Sequence, residues 1–342
     1  MSGAGAASGA AGVRALVTGG AGFIGSHLTE ELVRRGREVV VVDDLSTGSR
    51  ANVPAGVGLV EGDAASALGA GGELAGERFD EVFHLAATVG VMRVIEDPSA
   101  SIENNVAKTG AVLRFAASNG PRRGEPARVL FASSSEVYGK SSATPFREDA
   151  DLVFGTTTAS RWSYGMTKAL GEHLALDFSR RRGVGVVIAR LFNTVGPGQS
   201  GRYGMVLPRF VRAALAGEAL PVFGDGGQTR CFCDVRDVAW ALAELMGTGL
   251  AAGRAVNVGR DLPVSVLELA ETVNRVLGGS GGVELVPYGE AYGPGFEDLR
   301  ERKPDLTRLR GLVRFSPRVP LEQTIRDLAE TVSSSSARGA GV

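Results

Sequence analysis

Two cysteines are all that the 342 residues contain, and they stand together as Cys231-Phe-Cys233. Positions that close along a chain do not make an unstrained disulfide, and nothing beside them completes a zinc site. A disulfide framework and a structural metal are thus excluded as expectations. Two unpaired thiols in a reducing compartment, the cytoplasm, are expected instead. Net charge of either sign is equally scarce, with 37 Lys and Arg against 38 Asp and Glu. No overall positive field is available to hold nucleic acid. The run Arg180-Arg181-Arg182 reads as the last turn of a helix ending at Gly183, where cations suit the carbonyl end of the dipole. Nowhere is the chain apolar for long enough to cross a bilayer, and its start lacks a basic segment followed by an apolar one, so neither a membrane span nor a signal peptide is expected.

What is present is ordinary for a globular protein, 44% hydrophobic and 22% charged residues in a length that buries a sizeable core. Residues 1–12 are almost entirely Gly, Ala and Ser, and 333–342 begin with four serines. Both read as disordered tails. Between them, short β-branched runs at Arg14–Thr18, Glu38–Asp43, Glu81–Ala86, Arg128–Ser133 and Gly185–Arg190 alternate with helical stretches near Gly22–Arg35, Ser101–Ser118 and Ser163–Arg182. That alternation predicts a parallel sheet covered on both faces. After residue 190 the pattern is less regular, with Gly and Pro at 196–198, 224–227 and 292–295. Helices are expected near Leu207–Ala216, Val235–Met246, Val266–Leu277 and Leu321–Val332. A smaller mixed α/β C-terminal lobe fits this stretch.

The first strand runs into Thr18-Gly-Gly-Ala-Gly-Phe-Ile-Gly25 and then directly into an amphipathic helix. Gly19, Gly22 and Gly25 have the spacing that gives a tight turn, backbone approach to a pyrophosphate and close helix–strand contact, and the helix start supplies free amides. Asp43 ends the second strand where a carboxylate accepts from a ribose 2′-hydroxyl and repels a 2′-phosphate. The expected cofactor is therefore NAD, on a Rossmann-type doubly wound parallel sheet. Tyr164-Gly-Met-Thr-Lys168 sets a phenol and an ammonium one helical turn apart on one face, and the cation is expected to lower the phenol pKa toward that of a useful base. Ser133-Ser134-Ser135 ends a strand of the same sheet, on the side where such sheets hold ligands. Asn105, in the helix before that strand, reads either as a water or backbone contact or as a turn residue.

Together with His84-Leu-Ala-Ala87, Ser133–Gly139 (SSSEVYG), Arg190–Pro197 (RLFNTVGP) and Phe223–Arg230 (FGDGGQTR), these motifs resemble, over nearly all of residues 13–330, the extended short-chain dehydrogenases/reductases that act as nucleotide-sugar epimerases, dehydratases and decarboxylases. The resemblance implies a hydroxyl-oxidising triad of Ser134, Tyr164 and Lys168. It implies a cofactor surface of Gly19, Gly22, Phe23, Ile24, Gly25, Asp43, Asp63, Ala64, Leu85, Ala86, Ala87 and Asn105, with Asp63 and Ala86 on the adenine side. Asn193, Phe223, Gln228, Arg230 and Arg302 resemble residues that hold the nucleotide diphosphate or sugar, and Arg can grip a diphosphate bidentately. Arg302 also reads as a solvated surface charge. The NAD-binding part is expected over 13–190 with a return near 226–260, and the sugar lobe over 191–225 and 261–332.

Dehydratases of this group carry an Asp-Glu pair after the triad Ser or Thr. Here the pair is Ser135-Glu136, which with Arg161, three residues before Tyr164, is similar to the UDP-glucuronic acid decarboxylases. Oxidation at C4 turns the C6 carboxylate into that of a β-keto acid, so no acid is needed to expel a hydroxyl. The resemblance thus implies loss of carbon dioxide from UDP-glucuronate to a 4-keto pentose or UDP-xylose, with Glu136 and Arg230 orienting the reacting sugar and managing the proton at C5, and Ser135 assisting. Val91-Met-Arg-Val94 departs from the Pro-Val-His-Tyr segment of plant and animal decarboxylases and is similar to proteins described as UDP-glucose 4-epimerases. A 4-epimerase is therefore the second reading and a non-catalytic nucleotide sensor a third. Arg93 reads as a carboxylate contact or as an exposed, solubilising residue. Related enzymes pair as homodimers through a four-helix bundle. Here Ala116, Ala117, Leu170, Leu174 and Phe178 are the apolar candidates for it, each with an intramolecular alternative.

Overall fold

A computed structural model of the chain describes residues 12–87, 97–201, 205–287, 289–290 and 299–339. Seven strands form one sheet: β1 (Arg14–Thr18), β2 (Glu38–Asp43), β3 (Gly58–Glu61), β4 (Glu81–His84), β5 (Arg128–Ser134), β6 (Val186–Leu191) and β11 (Arg254–Val258). Their order across the sheet is β11-β6-β5-β4-β1-β2-β3, and every neighbouring pair is parallel. Residues such as Leu16, Val82, Phe83, Val129, Leu130 and Ile188 lie at or near zero exposure because helices cover both faces. One face carries α1 (Phe23–Arg34) and α6 (Val235–Gly247). The other carries α2 (Ala64–Leu68), α3 (Pro98–Ser118) and α4 (Ser163–Arg182). The doubly wound sheet expected from the sequence is the one found. Strand β3 was not foreseen, since only Val60 of its four residues is buried and it carries almost no apolar pattern.

Local signals set the helix ends. Asp97 accepts from the amide of Ala100, and Pro98 takes the first helical position, where its missing N–H costs nothing, so α3 starts three residues before the expected Ser101. Gly183 ends α4 in the left-handed conformation after three arginines. Close packing of α4 on the sheet needs Gly171, where a Cβ would stand 2.5 Å from the ring of Phe131.

The remaining strands are short. β7 (Thr194–Val195) pairs with β10 (Cys233–Asp234), β8 (Leu220–Phe223) with β13 (Val283–Val286), and β9 (Thr229–Arg230) lies between β12 (Val264–Ser265) and β14 (Glu301–Arg302). α5 (Val206–Ala216), α7 (Val266–Leu277) and α9 (Leu321–Gly339) enclose a separate apolar cluster that includes Phe210, Leu220, Val222, Leu269, Val273, Ile325 and Leu328. α8 (Thr307–Val313) does not join it, although 261–332 was assigned to the lobe. Leu306, Leu309, Val313 and Phe315 pack into the cluster between the sheet, α1 and α6. The last helix also runs to Gly339, beyond the expected start of a tail at Ser333. There the Ser334 hydroxyl donates to the carbonyl of Glu330 at 2.8 Å, the back-bonding that lets serine sit inside a helix. Cys231 and Cys233 are both buried and unpaired. Among the described residues no helix is long and apolar enough to cross a membrane, and no group of three metal-ligating side chains occurs.

Candidate active site

The glycine loop leaves β1 at its C-terminal end and is closed by contact. Gly19 has φ of 77°, and a Cβ there would stand 2.7 Å from the amide nitrogen of Ala86, while one on Gly25 would stand 2.0 Å from the carbonyl oxygen of Gly19. Gly22 caps α1 without any side-chain hydrogen bond, which leaves the amides of its first turn, those of Phe23 and Ile24 among them, for a bound anion. Asp43, 7% exposed, accepts from the amides of Ala21 at 2.9 Å and Leu45 at 2.9 Å, one on each carboxylate oxygen. The carboxylate is thereby fixed at the rim of the loop with lone pairs to spare. These features fit a dinucleotide: a cradle that a Cβ would fill, an uncapped helix start and a fixed acid.

Asp63 caps α2 through the amides of Ala65 and Ser66, and it pairs with Lys108 at 2.9 Å. Lys108 also reaches Asp44 at 3.2 Å, a cation the sequence reading missed because it stands on α3, far along the chain. Burial alone would raise the Asp63 carboxyl, but the Lys108 ammonium and the two amides outweigh it and hold it below the usual range. Ala64 is buried behind this cap, and Leu85, Ala86 and Ala87 form the half-buried segment leaving β4. Asn105 is 5% exposed on α3, its amide 3.5 Å from the Thr167 hydroxyl.

Ser134 is the last residue of β5, and Ser135 and Glu136 open the 3-10 turn that follows, Ser135–Tyr138. Gly165 lets α4 approach that turn, since a Cβ there would lie 2.5 Å from the carbonyl oxygen of Glu136. Tyr164 is thereby brought near Ser134, whose hydroxyl acts on its phenol. The Lys168 ammonium donates to the Ala132 carbonyl at 2.7 Å and lies 5.1 Å from the ring centre of Phe131 and 5.9 Å from that of Tyr164. The expected lowering of the Tyr164 pKa is overturned. Burial and the negative charge of Glu136 push the phenol up, and the Ser134 hydroxyl offsets only part of that. Burial instead pulls the Lys168 ammonium down to about 8, against the opposing pull of Glu172.

A second correction concerns Glu136. Its partner is Arg302, which grips the carboxylate with two nitrogens, one of them at 3.4 Å. Arg302 is 7% exposed, so the solvated-surface reading of it is wrong. β14 lies parallel to β9 and sets Arg302 beside Arg230. Arg230 donates to the carbonyls of Thr229 at 2.8 Å and Leu299 at 2.9 Å, and its charge acts on Glu136, as that of Arg161 does. Burial alone would raise the Glu136 carboxyl, but Arg302 first, then Arg161 and Arg230, hold it low. Three guanidiniums around one carboxylate leave two formal positive charges beside Tyr164, a surplus that suits an anionic ligand.

Farther along the same side, Gln228 donates to the Phe223 carbonyl at 3.0 Å while its own side-chain oxygen is buried and unpartnered, as is the amide nitrogen of Asn193. Arg209, which the sequence reading did not single out, stacks on the Phe223 ring at 4.0 Å. Arg93 and the Val91–Val94 segment lie outside the described residues. Also missed was the buried network behind the triad. There Ser133 donates to Glu172 at 2.6 Å and Arg190 grips the same carboxylate with bonds of 2.9 and 2.7 Å. Glu172 lies one turn beyond Lys168, a spacing that α4 made available to inspection.

Of the apolar residues considered for a subunit interface, Ala116 is wholly spent in the chain's own core. Ala117, Leu174 and Phe178 pack partly against that core, and Leu170 stands half exposed.

The sequence profile of the NAD dependent epimerase/dehydratase family matches residues 15–259. The chain is 41% identical over 323 residues to a UDP-N-acetyl-alpha-D-glucosaminuronate decarboxylase of Bacillus cytotoxicus, covering 92% of this chain and 96% of that one. It is 34% identical to UDP-glucuronic acid decarboxylase 6 of Arabidopsis thaliana over 91% of this chain and 86% of the relative. Among solved structures, an epimerase from Methanothermobacter thermautotrophicus superposes with a TM-score of 0.85 at 28% identity, covering 96% and 94% of the two chains.

Proposed function

This chain belongs to the NAD dependent epimerase/dehydratase family, and from that premise we propose that it decarboxylates UDP-glucuronic acid by way of a 4-keto sugar. The carrying observation is the surplus of positive charge held by Arg161, Arg230 and Arg302 around Glu136, immediately beside Tyr164.

Gly19, Gly22, Phe23, Ile24 and Gly25 would hold the NAD pyrophosphate, Asp43 the ribose, and Asp63, Ala64, Leu85, Ala86, Ala87 and Asn105 the remaining walls. Bound NAD supplies the hydride acceptor, and afterwards the donor, at sugar C4. Tyr164 is protonated at rest and must shed that proton before it can take the one on the C4 hydroxyl. Lys168, drawn down to about 8, is the neighbouring group able to release and recover a proton near neutrality. Ser134 orients the phenol. With C4 a ketone, the C5–C6 bond breaks, its electron pair moves into the carbonyl as an enolate, and carbon dioxide departs. A proton from solvent, guided to C5 beside Glu136 and Arg230, gives the 4-keto pentose. Return of the hydride to C4 gives UDP-xylose. Arg302 and Glu136, with Ser135, fix the C6 end, and Arg161 and Arg230 add charge. Asn193, Phe223 and Gln228 would meet the nucleotide, where Asn193 and Gln228 present unpartnered polar atoms.

The 41% identity to a decarboxylase of a 2-acetamido uronate supports UDP-N-acetylglucosaminuronate as a second substrate. The likeness to a UDP-glucose 4-epimerase of Thermotoga maritima, at 26% identity and a TM-score of 0.84, keeps 4-epimerisation as the competing reaction. A homodimer through α3 and α4, with Leu170 exposed on the outer face, and a cytoplasmic location suited to two free thiols complete the reading. Mass spectrometry after incubation with each UDP-uronate, with and without added NAD, is the test. Loss of one carbon dioxide supports the proposal, whereas a new isomer of unchanged mass replaces it with the epimerase. Light scattering that returns a monomer mass would remove the dimer.

A further inference from the structure

His84 closes β4 with 2% of its surface exposed, and both ring nitrogens meet hydroxyls. Nδ1 lies 2.8 Å from the Thr18 hydroxyl and Nε2 3.3 Å from that of Thr109. The proton count fixes the direction of the chain. The single hydroxyl proton of Thr109 goes to the carbonyl of Asn105 at 2.7 Å, so Thr109 can only accept from the ring, and Nε2 carries the hydrogen. Nδ1 of a neutral ring then has a lone pair and accepts the hydroxyl proton of Thr18. The Thr18 oxygen in turn accepts from the amide of Ala86 at 3.4 Å. Every donor points the same way, from the Ala86 amide through Thr18, His84 and Thr109 to the backbone of α3, and such aligned chains polarise their members. A protonated ring would leave the Thr18 proton without this acceptor. It would also place a cation near the ammoniums of Lys168 and Lys108, the charged groups that act on the ring.

Both ends of the chain matter to the site. The Ala86 amide is the atom a Cβ on Gly19 would strike, so it forms the wall of the glycine cradle. At the other end, Asn105 lies in α3 next to Thr167 of the catalytic helix. The face of the ring meets Phe131, centroids 5.8 Å apart, and Phe131 is the ring above which the Lys168 ammonium sits.

We propose that His84 is a positioning residue, a neutral imidazole protonated on Nε2, that ties the wall of the cofactor cradle to α3 and to the seat of Lys168. The inference rests on the NAD-binding reading of the cradle. Its consequence is selective: removing the chain loosens NAD and slows turnover but leaves the nucleotide end of the substrate site intact.

The test begins on the unaltered protein. In the 15N spectrum of histidine-labelled protein, one of the three rings should show the Nε2–H tautomer unchanged from pH 8 to pH 5, and His84→Gln should remove that signal. His84→Phe keeps a ring against Phe131 and deletes both hydrogen bonds. It should weaken NAD binding roughly tenfold, the size of one lost buried hydrogen-bonding pair, with UDP affinity unchanged. His84→Gln, whose amide can accept from Thr18 and donate to Thr109, should recover part of the loss. A ring protonated on Nδ1 or titrating between pH 8 and 5 overturns the inference. So does a His84→Phe variant that binds NAD as the parent does, or that loses NAD and UDP equally. No NAD binding by the unaltered protein would overturn the cofactor reading as well, which separates the two failures.

Discussion

The two halves of the site are built on opposite principles. On the cofactor side the polar side chains are held by the chain itself, and only the first-turn amides of α1 stay open for an anion: Asp43 holds two amides, Asp63 holds two amides and Lys108, and His84 is bonded at both nitrogens. Shape does the rest, through glycines where a Cβ would collide. On the sugar side satisfaction is incomplete. Three guanidiniums face one carboxylate, and polar atoms of Asn193 and Gln228 are buried without partners. Buried polar atoms without partners cost about 1–3 kcal/mol each, and a ligand that meets them recovers that cost. One half is a finished mould and the other is a set of charges waiting for a counterpart.

Four changes press on that difference, in order of expected size. Tyr164→Phe removes the group between the halves and should lower turnover by a factor on the order of 10²–10⁴, while NAD and UDP affinities measured by calorimetry stay put. A variant that still turns over at the parent rate would end the assignment of the base. Arg302→Ala takes the two-nitrogen grip from Glu136, whose side chain is 25% exposed, and should cost about 1–3 kcal/mol in chemical denaturation. Combining it with Glu136→Gln should return much of that loss. Equal losses in the single and double variants would mean the ion pair is not what stabilises the sugar side.

Gly25→Ala tests the mould. A Cβ 2.0 Å from the Gly19 oxygen should force the loop apart, cost about 1–3 kcal/mol and weaken NAD, with UDP binding unaffected. Acid provides the smallest and most graded probe. The His84 pKa is lowered by burial, with Lys168 and Lys108 adding to the effect, from 6.5 to about 3. Between those values the unfolded chain takes up a proton that the folded chain refuses, so stability present above pH 6.5 is lost as pH falls toward 3. The slope from this one group is at most about 1.4 kcal/mol per pH unit. Between pH 7 and pH 5 the parent should therefore lose about 2 kcal/mol more than His84→Gln does. Parallel losses in the two proteins would show that the ring titrates normally.

The same division decided what could be read from the sequence. The glycine loop, Asp43 and the Tyr164–Lys168 pair are each contiguous or one helical turn long, so their geometry follows from local rules. The grip of Arg302 on Glu136 was not legible because it depends on β14 lying beside β9, a pairing of two-residue strands that no periodicity announces. The direction of the Tyr164 pKa was misjudged for a related reason. Spacing gave the nearby cation but not the burial or the carboxylate that outweigh it. His84 was visible within a motif, yet its two hydroxyl partners lie 66 and 25 positions away.

β11 pairs with β6 only when Arg254 meets Val187, and Arg302 reaches Glu136 from 166 positions downstream. A ribosome adding about 5–20 residues per second therefore exposes the cofactor half, from β1 to β6, many seconds before the sugar half has its last charge. During that interval the nascent chain presents β6 as an open edge with strongly apolar neighbours, the feature that invites wrong pairing. The order of synthesis thus makes the C-terminal third of this protein both the completion of its chemistry and the cover for the edge of β6.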